Sequence, residues 1–178
     1  MSIKQSPDKL VEETFVALQG VRGLQQKSES QPVMFGELVH YVHGTANVDD
    51  ERVSDALGTN LPLRRQFNKL IEQTRVASHP MQAQAASDEL LNQRESRAFT
   101  LKFKTSRAND KQIFVLLVVH AESNLADGHL PVLLANKEHK TGRLCFPALK
   151  DQTAQLLLEH DDEKLVLMRD PDAELSLI

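Results

Sequence analysis

The sequence predicts an α+β protein, a small N-terminal helical bundle followed by a C-terminal all-β sandwich about the size of an immunoglobulin domain. Three observations predict it. Up to about residue 75 apolar residues recur at helical spacing. After Arg97 they alternate with polar residues at the period of a half-buried strand. Between the two, residues 76–96 are dominated by Ala, Gln and Ser, and His79-Pro80 interrupts any helix. The expected organisation is a helical domain over 1–75, a connector over 76–96 and a sandwich over 97–178, each half closing its own core. A chain of 178 residues suits one large domain or two small ones.

The first helix is expected after Ser6-Pro7, where acidic residues fill the opening turn and Leu10, Phe15, Leu18 and Leu24 fall near one side. Gly20 and Gly23 weaken its second half. After the polar break "KSESQP", "VMFGELVHYVHG" reads as a second helix, with Met34, Leu38 and Val42 in line and Gly44 as its stop. Asp49 or Asp50 caps a short third helix through Leu57, with Val53 and Leu57 on one face. "GTN" is the expected turn, with Gly58 free to take positive φ and Asn60 placed to cap the next helix. That fourth helix carries Leu63, Phe67, Leu70 and Ile71 as its apolar stripe, with Arg64, Arg65 and Lys69 largely opposite.

In the β half, "AFTLKFKTS" sets Phe99, Leu101 and Phe103 against Thr100, Lys102 and Lys104. "QIFVLLVVH" is apolar on both faces and reads as a central strand. "LPVLLA", "RLCFPAL", "TAQLLLEH", "KLVLMR" and "ELSLI" complete about seven expected strands, separated by "NKEHKTG", "DDE" and "DPDA".

Composition narrows the chemistry. Lys plus Arg number 21 against 25 Asp plus Glu, a net charge of −4, which does not suit a protein that coats nucleic acid. The single cysteine, Cys145, excludes an internal disulfide and a Cys-rich zinc site. The N-terminal residues show no apolar signal core, and the longest apolar run, residues 113–119, is too short to span a bilayer, so a cytoplasmic protein is expected.

Chemical motifs are sparse. His40 and His43, three residues apart, share a helix face, but no third ligand stands at suitable spacing, and a surface or half-buried pair is the expected reading. Cys145 with His120, His129, His139 or His160 makes a formal thiol–imidazole set, yet a cysteine between Leu144 and Phe146 reads as a core or edge residue. Asp161-Asp162-Glu163 lacks calcium-loop spacing and reads as a hairpin turn. No phosphate loop, nucleophile elbow or zinc-protease pattern is present, so the expectation is a non-enzymatic protein without cofactor or metal.

"SDALGTNLPLRRQFNKL" has the outline of a helix-turn-helix, in which Arg64, Arg65 and Lys69 would meet phosphates and base edges. Residues 61–75 carry Arg64, Arg65, Lys69 and Arg75 against Glu72, but residues 1–75 hold 9 basic and 10 acidic side chains. Because affinity for DNA grows with each neutralised phosphate, so local a cluster favours the solvent face of a bundle helix. DNA binding through the helix at 61–75 stays as the alternative to protein binding.

"ELVHYVHGTANVDDERVSDALGTNLPLRRQFNKLIE" resembles the helical anti-sigma domain of bacterial anti-sigma factors over residues 37–73. That family places an acidic–hydrophobic helix and a Y-x-x-G turn before a short helix rich in Glu and Arg, then a turn and a further helix. Tyr41, Val42 and Gly44 stand at the turn, Asp50, Glu51, Arg52 and Val53 open the short helix, and Leu63, Arg64 and Phe67 lie on the last. Where many members carry His and two Cys zinc ligands, this chain has Ala56, Asn60 and Leu63. The resemblance implies a zinc-free variant in which Leu57, Leu63 and Phe67 replace the metal, and a sigma factor or another regulatory protein as partner. Phe35 and Val39 fall off the main stripe of the second helix, as Val11 and Val21 do on the first. That second stripe is expected to meet a partner's helix, the β half or a neighbouring copy of the chain. Phe35, Val39, Arg64, Arg65 and Lys69 are therefore the expected partner-binding residues.

Overall fold

The computed structural model describes residues 32–45, 48–79 and 90–178. The helix expected to begin at Ser6-Pro7, including Val11 and Val21, lies outside the described residues. Val33–Ile178 form one compact unit. It contains three successive helices, α1 (Phe35–His43), α2 (Asp50–Thr59) and α3 (Leu61–Thr74). They are followed by strands β1 (Ala77–His79), β2 (Gln93–Glu95), β3 (Phe99–Thr105), β4 (Gln112–Val119), β5 (Val132–Lys137), β6 (Lys140–Cys145) and β7 (Thr153–Glu159). A short helix, α4 (Glu163–Arg169), and strand β8 (Glu174–Leu177) complete the described chain. Among the described residues no helix is long and apolar enough to cross a membrane.

The strands make two antiparallel four-stranded sheets, ordered β1-β8-β5-β6 and β2-β3-β4-β7. An α+β protein with helices preceding a sandwich-like β half is therefore the fold. Between the sheets lies one apolar core, with Phe99, Leu101, Phe103, Ile113, Val115 and Leu117 from one side and Leu133, Ala135, Leu144, Leu175 and Leu177 from the other. Alternation does this work in β3 and β4, where every second residue turns inward.

β5 explains how the helices attach. Leu133 and Ala135 face the sandwich core, while Val132 and Leu134, on the opposite face, join Ile178 in a second cluster with Leu38, Tyr41, Val42, Val53, Leu57, Phe67 and Ile71. The helical layer thus has a cluster distinct from the sandwich core, but it closes that cluster on the back of a sheet and not within the helices alone. Three helices of 9, 10 and 14 residues are too short to enclose their apolar stripes alone. Double burial, expected for the run at 113–119, belongs instead to β5. β4 is central in its sheet, but its outward residues Phe114, Leu116 and Val118 are only half-buried.

Three local expectations need correction. "KLVLMR" is not a strand but α4. Asp162 Oδ1 accepts from the Lys164 and Leu165 amides at 2.8 and 3.3 Å, and Leu165 and Met168, three apart, share the buried side. Asp161-Asp162-Glu163 is accordingly a helix start rather than a hairpin turn. Within the expected connector, β1 pairs with β8 and β2 pairs with β3, so its ends belong to the two sheets. Three-residue strands are too short to show a period. Arg94 of β2, 1% exposed, donates to the carbonyls of Met168, Asp170 and Ala173, tying that segment to the α4–β8 loop.

Candidate interaction surfaces

Helix caps set the geometry of the helical layer. Gly44 ends α1 at φ 65°, and its amide donates to the His40 carbonyl. A Cβ there would stand 2.9 Å from Val132 Cγ2, so both the turn and the close approach to β5 require glycine. Asp49 caps α2 by accepting from the Arg52 amide, and Asn60 caps α3 by accepting from the Leu63 amide. Gly58 is not at a turn: α2 runs through it to Thr59, and Asn60 alone separates α2 from α3. What Gly58 permits is contact, since a Cβ would lie 3.1 Å from the His139 carbonyl. The turn of three or four residues usual in a helix-turn-helix is absent between these two helices.

Buried polar contacts clamp the layer to the sheet. Arg143 of β6 donates to the Tyr41 carbonyl at 2.9 Å, lies 4.6 Å over the Tyr41 ring and pairs with Asp50. Asp50 also meets Lys164 of α4 at 2.8 Å. Ser54 donates to the Thr141 carbonyl, and Arg52 pairs with Glu37 across α1 and α2. The Met34 amide, and then Arg52, hold the Glu37 carboxyl below its usual range. Burial pushes the Tyr41 phenol well above its ordinary value, with Asp50 adding and Arg143 opposing. None of these positions is marked by sequence spacing, because Tyr41 and Arg143 are a hundred residues apart.

The five expected partner-binding residues separate into different roles. Phe35 is 57% exposed beside Met34, itself 65% exposed at the N-cap of α1. Met34 is thus not part of the inner stripe, whose members are Leu38, Tyr41 and Val42. Val39 is half-buried against the helical core and is largely used internally. Arg64 is taken up as well: it donates to the Leu57 and Gly58 carbonyls at 2.9 and 2.7 Å and meets His139 Nδ1 at 2.8 Å. It closes the end of α2 and links it to the β5–β6 turn, and is not a free surface cation. Arg65 and Lys69, one turn apart on α3, are exposed.

His40 and His43 are exposed, and His40 Nδ1 lies 2.9 Å from Thr45 Oγ1. Among the described residues no group of three or more His, Cys, Asp or Glu is placed to hold a metal. Cys145 is an exposed residue at the end of β6. Of its four candidate histidines, His120 contacts Thr100 Oγ1 and the Arg97 carbonyl, and His139 contacts Arg64.

A second surface went unnoticed in the sequence. On the outer face of the β2-β3-β4-β7 sheet, register sets Lys102, Leu116 and Gln155 in one row and Lys104, Phe114 and Leu157 in the next. Leu157 is 46% exposed. An open groove there is lined by Lys104, Thr105, Arg107, Phe114, Leu116 and Gln155. The alternation "TLKFKTS" marks both lysines, but which strand lies beside them is settled only by pairing.

No family model matches the chain, and no curated protein or solved structure is detectably similar to it.

Proposed function

We propose that the chain is a non-enzymatic regulatory or adaptor protein that binds another protein through the outer side of its helical layer. The observation that carries this reading is the exposure of Met34 and Phe35 together at the start of α1, with Leu61 exposed at the start of α3, while the inner stripes of the three helices are spent on the helical cluster. Adjacent exposed large apolar side chains suit a partner helix with an apolar face, and Arg65 and Lys69 are exposed cations of the same helical layer. The resemblance of residues 37–73 to anti-sigma domains supports a sigma factor or another regulatory protein as that partner, hence a role in transcription control. Ala56, Asn60 and Leu63, at the zinc-ligand positions of that family, here pack against or cap the helical layer. Arg64 is engaged by α2 and His139, so the DNA-binding alternative retains Arg65 and Lys69 on α3 as its free cations, a small footprint for phosphate recognition.

Affinity capture from the source cells with the whole chain as bait tests the reading. Capture of a sigma-like or other transcription regulator by wild type, lost with Phe35→Asp, is the expected result. Equal capture by both baits places the contact elsewhere. A duplex-DNA titration that shows tight, steeply salt-dependent binding abolished by Arg65→Glu would favour the DNA reading instead.

A further inference from the structure

We infer that the outer face of the β2-β3-β4-β7 sheet is a second docking surface, and that its occupant is an acidic amphipathic helix of a partner protein. The chain is net −4, yet Lys102 and Lys104 stand side by side on β3 within this face and Arg107 lines the groove at its loop end, while the face's carboxylates, Glu95 and Glu159, lie on its edge strands beside Gln93 and Gln112. Among the described residues no carboxylate pairs with Lys102, Lys104 or Arg107. Cations without a carboxylate partner around an apolar groove make a local patch whose complement is acidic.

Geometry selects the shape of the occupant. Lys102 and Lys104 point outward from β3, about 6.6 Å apart along the strand. Carboxylates four residues apart on a helix are separated by about 6 Å along its axis. One strand over, about 4.8 Å away, Phe114, Leu116 and Val118 form an apolar row on β4, with Leu157 beyond it on β7. A helix about 10 Å across, laid along β4, covers that row and sets one flank of acids over the β3 lysines. A strand added at the β7 edge would sit about 14 Å from β3, too far to use them. The chemistry also selects against single-stranded nucleic acid, which needs aromatic platforms, because this row offers one phenyl ring among aliphatic side chains.

The test is a titration of the whole chain with a labelled synthetic helical peptide of about 18 residues, Leu on one face and Glu at i, i+4 along one flank. A second peptide with Lys in place of Glu, and an oligothymidylate, serve as competitors in kind. Micromolar binding of the Glu peptide at low salt is expected, with amide chemical-shift changes confined to β3, β4 and β7. The double variant Lys102→Glu/Lys104→Glu, at exposed or half-exposed positions, should weaken it about tenfold and remove its salt dependence. Leu157→Ser should weaken it without changing the salt slope, and Phe35→Asp should leave it unchanged, which separates this surface from the one on the helical layer. The inference is overturned if the Glu and Lys peptides bind alike or neither binds. It is equally overturned if oligothymidylate binds this face more tightly than the Glu peptide, or if the shifted residues report only self-association of the chain.

Discussion

Arg143 on β6 lays its guanidinium 4.6 Å over the ring of Tyr41 on α1 and donates to the Tyr41 carbonyl at 2.9 Å. Together with the Arg143–Asp50 pair, this contact fastens the helical layer to the sheet through a polar clasp on a residue of the apolar cluster. A planar fork that stacks and pairs at once is a task for arginine and not for lysine.

Arg143→Ala leaves a carbonyl and part of the Asp50 carboxylate without a donor in a largely buried site. It should lower the free energy of unfolding by about 2–3 kcal/mol in urea denaturation. Arg143→Lys should recover less than half of that loss, since it keeps charge but loses the stack and the second donor. Equal stability of the lysine variant and wild type would show that charge alone matters here.

Tyr41 gives a pH signature that can be read cleanly, because it is the only tyrosine and the chain has no tryptophan. A free phenol ionises near pH 10, whereas burial holds the folded Tyr41 protonated well beyond that. A folded pKa above the unfolded one means its contribution to stability is fully present below about pH 10 and is lost as pH rises above it. Tyrosinate absorbance should therefore stay low in the folded protein at pH 10 and appear together with unfolding. Tyr41→Phe should flatten the fall of stability above pH 10. Tyrosinate absorbance rising at pH 10 with the fold intact would show the phenol to be accessible.

Arg64 and Arg65 are neighbours in sequence with opposite fates. Arg64→Ala removes the donors to the Leu57 and Gly58 carbonyls and should cost about 1–2 kcal/mol. Arg65→Ala, at an exposed position, should change stability by less than about 0.5 kcal/mol. Thermal melts of the two variants side by side decide the point, and equal effects would contradict the clasp at the end of α2.

Asp162 is the cap of α4, with one carboxylate oxygen accepting from two amides. Asp162→Ala should cost about 1 kcal/mol, and Asp162→Asn should keep most of the stability. Backbone chemical shifts of residues 163–169 in the alanine variant would report fraying of the first turn. Unchanged shifts and stability would mean that packing of Leu165 and Met168 holds the helix alone.

The sequence by itself determined the elements whose signals are local. Asp49, Asn60 and Gly44 act within a few residues of their own position, and so they marked the helix ends correctly. The stripes Val53–Leu57 and Leu63–Phe67–Leu70–Ile71, and the alternation of Phe99, Leu101 and Phe103, needed only a period to be read. The same stripe geometry set Phe35 off the inner side of its helix, but it also set Met34 on that side, where the structure exposes both. Tertiary structure decided whatever depends on residues far apart in the chain. The run Lys164–Arg169 satisfies both a strand and a helix pattern, and burial of Leu165 and Met168 against the sandwich core selects the helix that the local Asp162 cap begins. Gly58 stays helical where it approaches the His139 carbonyl, and Arg64, half-buried over the end of α2, also meets a histidine 75 residues away. Lys102 and Lys104 become a surface with Phe114 and Leu116 only through strand register. β5 is buried on both faces only because three short helices cannot cover their own stripes and close on its back. Caps and periods act over one or two turns of chain, whereas burial and ion pairing are properties of neighbours in space.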